Sequence, residues 1–206
     1  MKKSIENIKN EINNIFNNKI NNLYNNMDIN FNFQSFFNYY KFKELTNEGI
    51  KRNFNKKIKK YNLLYKASRD GFSSYDFHRR CDGVSNTITL ILTKDYKLFG
   101  GFTDRTWDKS NQFKGGYNGF IFSINNNKIY YKRSFYDKNI YCSEEDGPIF
   151  GNYDIYIKNN CDQNFGSYDW TNNNERAYNT PGNEHYLNGD TYFYVLDYAV
   201  YQIEFE

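Results

Sequence analysis

A histidine and a cysteine three residues apart are the pair of side chains best suited to chemistry. His78 and Cys81 lie at positions i and i+3 of a segment that we predict to be a short helix, so they share one face. Such a pair can act as base and nucleophile, or can supply half of a metal site. The remaining histidine and cysteines, His185, Cys142 and Cys161, are scattered along the chain, so we predict no metal and no cofactor. For Cys81 we favour a simpler alternative, a buried side chain that packs as a small apolar group.

The run at residues 68–71, Ser-Arg-Asp-Gly, combines a hydroxyl, a cation and a carboxylate, as a catalytic site does. Its residue types also fit a structural elbow. Gly71 suits a turn that needs positive φ, and Asp70 can accept hydrogen bonds from backbone amides there. Ser73 and Asp76 then have the spacing of a capping box that opens a short helix. We therefore interpret the run as an elbow rather than as the site of a nucleophile.

Two further groups of residues share only their composition with functional motifs. Gly100 and Gly101 lack the Lys-Ser/Thr ending of a phosphate loop, so we predict a bulge or close backbone packing, with Trp107 packed over the glycines. Asp137 and the acidic residues 144–146 are candidates for an acid/base pair, which requires carboxylates about 5–10 Å apart. Because the acidic run directly precedes Gly-Pro, we interpret it as a solvated turn.

The elements that position these residues are predicted to be mainly β-strands. Runs rich in β-branched and aromatic residues alternate with turn residues along the second half of the chain. The predicted strands are a hairpin of residues 87–93 with 98–102, a second hairpin of residues 119–124 with 128–133 that turns on three Asn, a strand at 154–158, and one or two strands in 192–206. This spacing indicates a two-sheet antiparallel β-sandwich, so the fold class is mainly β with flanking helices.

An amphipathic helix is predicted at the N-terminal side. Residues 4–27 carry isoleucines at helical spacing, which would form one apolar stripe. The segment is rich in Asn, a mediocre helix former, so the helix needs a partner to be stable. We expect it either to self-associate with a second copy of the chain or to pack on the domain. The stripe consists of Ile5, Ile8, Ile12 and Ile15.

The segment that follows is also predicted to be mostly helical. A new helix is expected to begin at residues 45–48 and to run through Ile58, which would place the basic run at 56–60 on a solvated face. The change from helical to β pattern then suggests two parts. We predict a helical N-terminal extension over residues 1–44 and a folded domain over residues 45–206.

Composition restricts the class of protein. Aromatic residues make up 20% of the 206 residues, which is ample for a core, and the many Asn fit a biased genome better than a chemical role. The three cysteines are odd in number and widely spaced, which argues against a disulfide framework and for a reducing compartment. No apolar run is long enough to span a membrane, and no secretory signal follows Met1. We expect a cytoplasmic protein.

Charge is unevenly distributed along the chain. Residues 1–66 carry a net charge of +8 and residues 67–206 a net charge of −5. Either a basic arm that seeks an acidic surface or a solvated helical face would produce this asymmetry. Association with nucleic acid through the basic residues 51–60 is a further alternative. The sequence has no groove-reading motif, so we predict no nucleic-acid partner.

Blocks of residues in a fixed order resemble the TLDc family. They are residues 63–72 (LLYKASRDGF) with 76–78 and 81–82, residues 99–103 (FGGFT) with Trp107, residues 120–124 (FIFSI), residues 147–151 (GPIFG) with Asp154 and 157–161 (IKNNC), and the ending at 195–205. Together they extend over about residues 45–206. The N-terminal extension matches no family pattern.

The resemblance implies a two-sheet antiparallel sandwich flanked by helices, with no settled active site. The family is associated with oxidative-stress resistance and with binding and regulating the vacuolar proton-pumping ATPase. By this resemblance we expect a non-catalytic protein-binding module, recruited to the surface of acidic organelles, with subunits of that ATPase as partners. The alternative is a thiol-dependent enzyme or antioxidant that uses Cys81 and His78. The expected partner contacts, where the family signature concentrates, are Ser68, Arg69, Asp70, Gly71, Gly100, Gly101, Asp104 and Trp107.

Overall fold

The computed structural model describes most of the chain after residue 32. The described residues are 33–116, 118–133, 135, 137–169, 176–181 and 187–206. The helix predicted over residues 4–27, its self-association and His185 lie outside the described residues. Residues 40–206 form one compact unit, and the described residues before Tyr40 belong to another. Within the described part of the chain, no helix is long and apolar enough to cross a membrane.

The longest helix among the described residues, α1, spans Phe33–Phe54. Phe42, Leu45 and Ile50 are buried at helical spacing and face the first of two sheets, where the ring of Phe42 lies 6.0 Å from that of Phe122. These apolar side chains keep α1 on the sheet, because helices in proteins owe most of their stability to such packing.

The prediction that a new helix begins at residues 45–48 is wrong, because α1 runs through this segment without a break. The hydroxyl of Thr46 donates to the carbonyl oxygen of Phe42 at 2.7 Å and so caps no new helix. The helix also ends earlier than predicted. Asn55 has a φ of 53° and its amide closes the last turn at 2.9 Å from the carbonyl oxygen of Lys51, whereas Ile58 already belongs to a strand.

The rest of the described chain consists of short strands and two short helices. The helices are α2 (Ala67–Asp70) and α3 (Ser74–Cys81). The strands are β1 (Ile58–Lys66), β2 (Thr87–Thr93), β3 (Leu98–Thr103), β4 (Gln112–Lys114), β5 (Phe120–Ser123), β6 (Lys128–Tyr131), β7 (Ile140–Cys142), β8 (Ile149–Phe150), β9 (Ile155–Tyr156), β10 (Ser167–Asp169), β11 (Tyr192–Phe193) and β12 (Val195–Phe205).

Two antiparallel sheets of six strands each make up the sandwich. The first has the order β1-β12-β2-β3-β5-β6, and the second has the order β11-β10-β9-β8-β7-β4. Both predicted hairpins are confirmed, since Thr87 pairs with Thr103 and Phe120 pairs with Tyr131. Lys59 and Lys60, predicted on a helix, instead lie exposed on the edge strand β1, where lysines discourage pairing with another sheet.

The first sheet is covered on both faces. Phe99 and Ile91 face the second sheet, and Phe99 packs edge-on against Phe193 of β11 at 5.3 Å between ring centroids. Ile88 and Phe102 face the opposite way and join the cluster that buries α1. The mainly β fold with flanking helices is therefore confirmed as a helix layer on a two-sheet sandwich.

Candidate functional site

The chain makes an elbow between β1 and α3, as the sequence predicted. Gly71 has a φ of 110°, and a Cβ at this position would lie 2.1 Å from Oδ2 of Asp76. Ser73 is the N-cap of α3 and accepts a hydrogen bond from the amide of Asp76 at 3.2 Å. The hydroxyl of Tyr65 donates to the carbonyl oxygen of Gly71 at 2.6 Å. These contacts fix the direction in which α3 leaves the sheet.

Asp70 is the centre of the elbow, with a side chain that is only 4% exposed. Its carboxylate accepts hydrogen bonds from Nε and Nη2 of Arg69 at 3.0 and 2.7 Å, and from the amide of Lys66 at 3.0 Å. Nη2 of Arg80 on α3 donates at 3.3 Å. Hydrogen bonding to Arg69, above all, lowers the pKa of Asp70. A fixed negative charge thus holds two arginines from different elements.

These arginines belong to an exposed cationic surface that the sequence analysis missed. The arginine cluster consists of Arg69, Arg79 and Arg80, each with about half of its side chain exposed. Arg79 lies 3.7 Å from the carboxylate of Asp76, and the ring of Tyr75 beside it is 65% exposed. The helical period of α3 indicates this surface. Residues 77, 78 and 81 form the buried face of the helix, so residues 75, 79 and 80 point toward solvent.

Ser68 is hydrogen-bonded to a carboxylate of the first sheet. Its hydroxyl donates to Oδ2 of Asp197 at 2.7 Å, and its amide donates to Oδ1 of the same carboxylate at 3.0 Å. Asp197 follows an irregularity of register in β12 after Val195, and the ammonium group of Lys66 lies 3.8 Å from it. Among the described residues, the hydroxyl of Ser68 bonds to this carboxylate and to no imidazole, the usual base of an activated serine.

His78 and Cys81 both lie on the buried face of α3. Nδ1 of His78 shares a hydrogen bond of 2.7 Å with Asp82, and Nε2 has no hydrogen-bond partner among the described residues. Neither imidazole nitrogen therefore bonds to the Cys81 thiol. Burial raises the pKa of Cys81, and it raises those of Cys142 to about 11 and Cys161 to about 12. All three thiols are free, buried and protonated at neutral pH.

Gly100 and Gly101 are positions of close packing within β3, as predicted. A Cβ on Gly100 would lie 1.9 Å from the carbonyl oxygen of Thr89, and one on Gly101 would lie 2.7 Å from the ring of Phe150. The nearest side chain over Gly101 is therefore Phe150. Trp107, which was predicted to pack there, packs edge-on against Phe150 at 5.6 Å between ring centroids.

Trp107 and Asp104 tie the segment after β3 to its surroundings. Trp107 is buried, and its indole nitrogen donates to the hydroxyl of Thr87 at 2.9 Å. The carboxylate of Asp104 accepts hydrogen bonds from the side-chain amides of Asn118 at 2.9 Å and Asn139 at 3.1 Å. Both residues therefore have most of their polar groups occupied within the domain.

The two predicted contact segments, residues 68–71 and 100–107, meet on α3. Phe77 is the link, because its ring lies 6.0 Å from Tyr65, which bonds to the elbow, and 5.5 Å from Trp107. The structure thus brings the supports of both segments together around one short helix.

The acidic residues of the loops have separate hydrogen-bond partners. Asp137 accepts a hydrogen bond from the amide of Gly116 at 2.9 Å, whereas Asp146 accepts one from the hydroxyl of Tyr156 at 2.8 Å. Among the described residues, no group of three His, Cys, Asp or Glu side chains is placed to hold a metal ion.

Comparison with known families gives one match that covers most of the chain. The model of the family described as the TLDc domain matches residues 39–204. The match includes the elbow, α3, the glycine pair and both sheets.

Proposed function

The chain belongs to the TLDc domain family, and from this premise we propose that it is a protein-binding module without catalytic chemistry of its own. The family is associated with oxidative-stress resistance and with the vacuolar proton-pumping ATPase. We propose the peripheral sector of this pump as the partner, bound in the cytoplasm at the surface of acidic organelles. Family membership supports the choice of partner, and the elbow supports the choice of surface.

The observation that carries the proposal is the anchoring of Arg69 and Arg80 by the buried carboxylate of Asp70. Arginine and tyrosine are enriched among the residues that dominate binding energy at protein interfaces. Here Asp70 holds the guanidinium groups of Arg69 and Arg80 before any partner arrives, and Tyr75 is exposed on the same helix as Arg80. A preformed surface loses less side-chain entropy on binding. An acidic patch on the partner is the complementary surface.

The remaining predicted contact residues serve this surface indirectly in our proposal. Gly71 and Ser68 set the geometry of the elbow. Gly100, Gly101 and Trp107 are buried, and Trp107 packs against Phe77 of α3. The partner would therefore contact the arginines and Tyr75, while these other residues hold them in place.

An enzyme that uses Cys81 and His78 is less well supported. A reactive cysteine needs exposure and a lowered pKa, whereas Cys81 is buried and its pKa is raised. The imidazole of His78 bonds to Asp82 and not to the thiol.

The experiment is a binding titration of the full chain against the purified peripheral sector of the pump. We expect the double variant Arg79→Ala/Arg80→Ala to raise Kd by about tenfold or more, since each tenfold corresponds to about 1.4 kcal/mol. Lys59→Ala/Lys60→Ala is the control, because both are exposed cations on β1 outside the elbow. Unchanged melting temperatures would separate lost contacts from lost folding.

Two results would contradict the proposal. If the wild-type chain does not bind the sector, the partner is wrong. If the arginine variant binds as tightly as the wild type, the surface is wrong. A defined turnover that Cys81→Ala abolishes would instead establish the enzyme.

A further inference from the structure

One line of paired residues crosses the whole second sheet. Phe113 pairs with Tyr141, Tyr141 with Ile149, Ile149 with Tyr156, Tyr156 with Tyr168, and Tyr168 with Tyr192. Residues paired across antiparallel strands point to the same face, and their sequence neighbours point to the other. The neighbours Ile140, Phe150 and Ile155 lie in the core between the sheets. The line therefore lies on the outer face, and every member except Ile149 is aromatic.

Tyr153 completes the line where Ile149 interrupts it. This tyrosine lies in the turn between β8 and β9, and its ring is 5.4 Å from Tyr141 and 6.2 Å from Tyr156. Its φ is 63°, a left-handed conformation that is unfavourable for a bulky residue. Such a conformation persists where contacts with neighbouring residues stabilise it. Here it brings the ring of Tyr153 near Tyr141 and Tyr156, where Ile149 interrupts the line of aromatic residues.

Two more rings extend the line beyond the sheet edge. Phe165 lies 5.8 Å from Tyr192, and Tyr194 lies 5.0 Å from Phe165. We define the aromatic row as Phe113, Tyr141, Tyr153, Tyr156, Tyr168, Tyr192, Phe165 and Tyr194. The six-strand part alone is about 24 Å long, since neighbouring strands are about 4.8 Å apart.

The aromatic row is open to solvent in the described part of the chain. Phe165 is 54% exposed and Tyr192 is 48% exposed, and the rings along the centre are partly exposed. The outer face of an antiparallel sheet normally carries polar side chains. A contiguous aromatic face of this length is typical of an interaction surface.

The charges around the aromatic row indicate what it binds. At one end the ammonium group of Lys138 lies 4.1 Å from the ring centre of Phe113, and at the other end that of Lys94 lies 4.5 Å from Tyr194. The row thus already accepts lysines over its rings. Its centre is acidic, because Asp146 bonds to the hydroxyl of Tyr156, and the exposed residues 144–145 precede it in the same loop.

We propose that the aromatic row is a docking site for a lysine- and arginine-rich segment of a partner protein. The cations lie over the tyrosine rings and pair with Glu144, Glu145 and Asp146. A single-stranded nucleic acid would also stack on the rings, but its phosphates would meet these carboxylates. A second copy of the chain docking face to face would bring the same acidic loops together. Charge therefore favours the basic segment, and this site shares no residue with the arginine cluster.

Two tyrosines in the same unusual conformation offer a matched pair of variants. Tyr96, with a φ of 59°, is 76% exposed in the turn between β2 and β3 and lies outside the aromatic row. Glycine accepts positive φ freely, so Tyr153→Gly and Tyr96→Gly each remove a ring without straining the backbone. Only the first change interrupts the aromatic row.

The test is a titration of the full chain with a synthetic dodecapeptide of alternating arginine and serine. We expect Tyr153→Gly to weaken binding by about fivefold or more, as for the loss of a cation–π contact, and Tyr96→Gly to leave it unchanged. Glu144→Gln/Glu145→Gln should weaken binding as well and reduce its dependence on salt. Melting temperatures of all variants exclude unfolding as the cause.

Several outcomes would overturn the proposal. One is that the wild-type chain does not bind the peptide, or that it binds a glutamate-serine peptide or a single-stranded oligonucleotide equally well. Another is that the two glycine variants bind the peptide alike. A third is that sedimentation shows a dimer that Tyr153→Gly dissociates, in which case the aromatic row belongs to an interface between copies of this chain.

Discussion

Ser68 and Asp197 are joined by two hydrogen bonds, although they lie 129 residues apart in sequence. The amide of Ser68 belongs to the first turn of α2, where amides have no partner within the helix. The residue before α2, Lys66, offers no side-chain cap. Asp197 of β12 therefore caps α2 from another element and ties the elbow to the second strand of the first sheet.

Replacement of this distant cap should loosen the elbow. We expect Asp197→Ala to destabilise the domain by about 1–2 kcal/mol, since it removes a cap and a charged hydrogen-bond acceptor. Urea denaturation measures the change. Leu196→Ala, at an exposed neighbouring position, is the control and should change stability by less than about 0.5 kcal/mol. Equal effects of the two substitutions would mean that the cap has no energetic importance.

The cysteines should react slowly in the folded protein. Thiolates are the reactive species, and burial both raises the thiol pKa values and blocks access to Cys81, Cys142 and Cys161. We expect alkylation of all three to follow the rate of unfolding and to become fast only in denaturant. Mass spectrometry after timed labelling with iodoacetamide checks this. Rapid and selective labelling of Cys81 under native conditions would support the thiol enzyme instead.

The free energy of unfolding should fall as the pH rises from about 4 to about 8, because two buried aspartates lose their protons in this range. Desolvation raises the pKa of Asp154 to about 6 and that of Asp169 to about 8. The folded state therefore binds these protons more tightly than the unfolded state. The resulting stabilisation is complete below the pKa that these carboxyl groups have in the unfolded chain. It is lost as the pH rises through the pKa values that they have in the folded chain.

Asp169→Asn isolates the upper part of this pH range. Between about pH 6 and 8 Asp169 still titrates while Asp154 is largely ionised, so the variant should show a smaller loss of stability there. The asparagine carbonyl can still accept the hydrogen bond that the amide of Asn188 donates to Asp169 at 2.6 Å. Denaturant midpoints at a series of pH values measure the slope. A variant with the wild-type slope would exclude Asp169 as its origin.

Local patterns accounted for the fold, whereas contacts between distant residues determined the surfaces. The hairpin of residues 87–93 with 98–102 was predictable because alternation and turn residues are local signals. The prediction of a helix start at Thr46 also used only local pattern, and it was wrong because the Thr46 hydroxyl donates to the carbonyl oxygen of Phe42, four residues earlier in α1. The pairing of Ser68 with Asp197 joins residues that lie 129 positions apart, and the aromatic row depends on the register of six short strands. Neither has a pattern in one stretch of sequence.

The two glycines of β3 should differ in how well they tolerate alanine. At Gly100 the obstacle is the backbone carbonyl oxygen of Thr89, which is 1.9 Å from the added Cβ and is held in the sheet ladder. At Gly101 it is the ring of Phe150 at 2.7 Å, a side chain that can be shortened. Overpacking of this kind costs about 1–3 kcal/mol where the neighbours can shift, and more where they cannot. We therefore expect Gly100→Ala to be the more destabilising change.

A second substitution should separate the two causes. Phe150→Leu makes room over Gly101 but also loses contact with Trp107, so it destabilises the domain by itself. In the double variant with Gly101→Ala we expect the loss to be smaller than the sum of the single losses by about 1 kcal/mol, because the added methyl occupies the space of the shortened ring. The same partner should give no such rescue of Gly100→Ala, whose clash lies with Thr89. Urea denaturation of the five variants and the wild type provides the comparison. Equal rescue at both positions would show that the sheet relaxes as a whole and that the carbonyl of Thr89 is not the fixed obstacle.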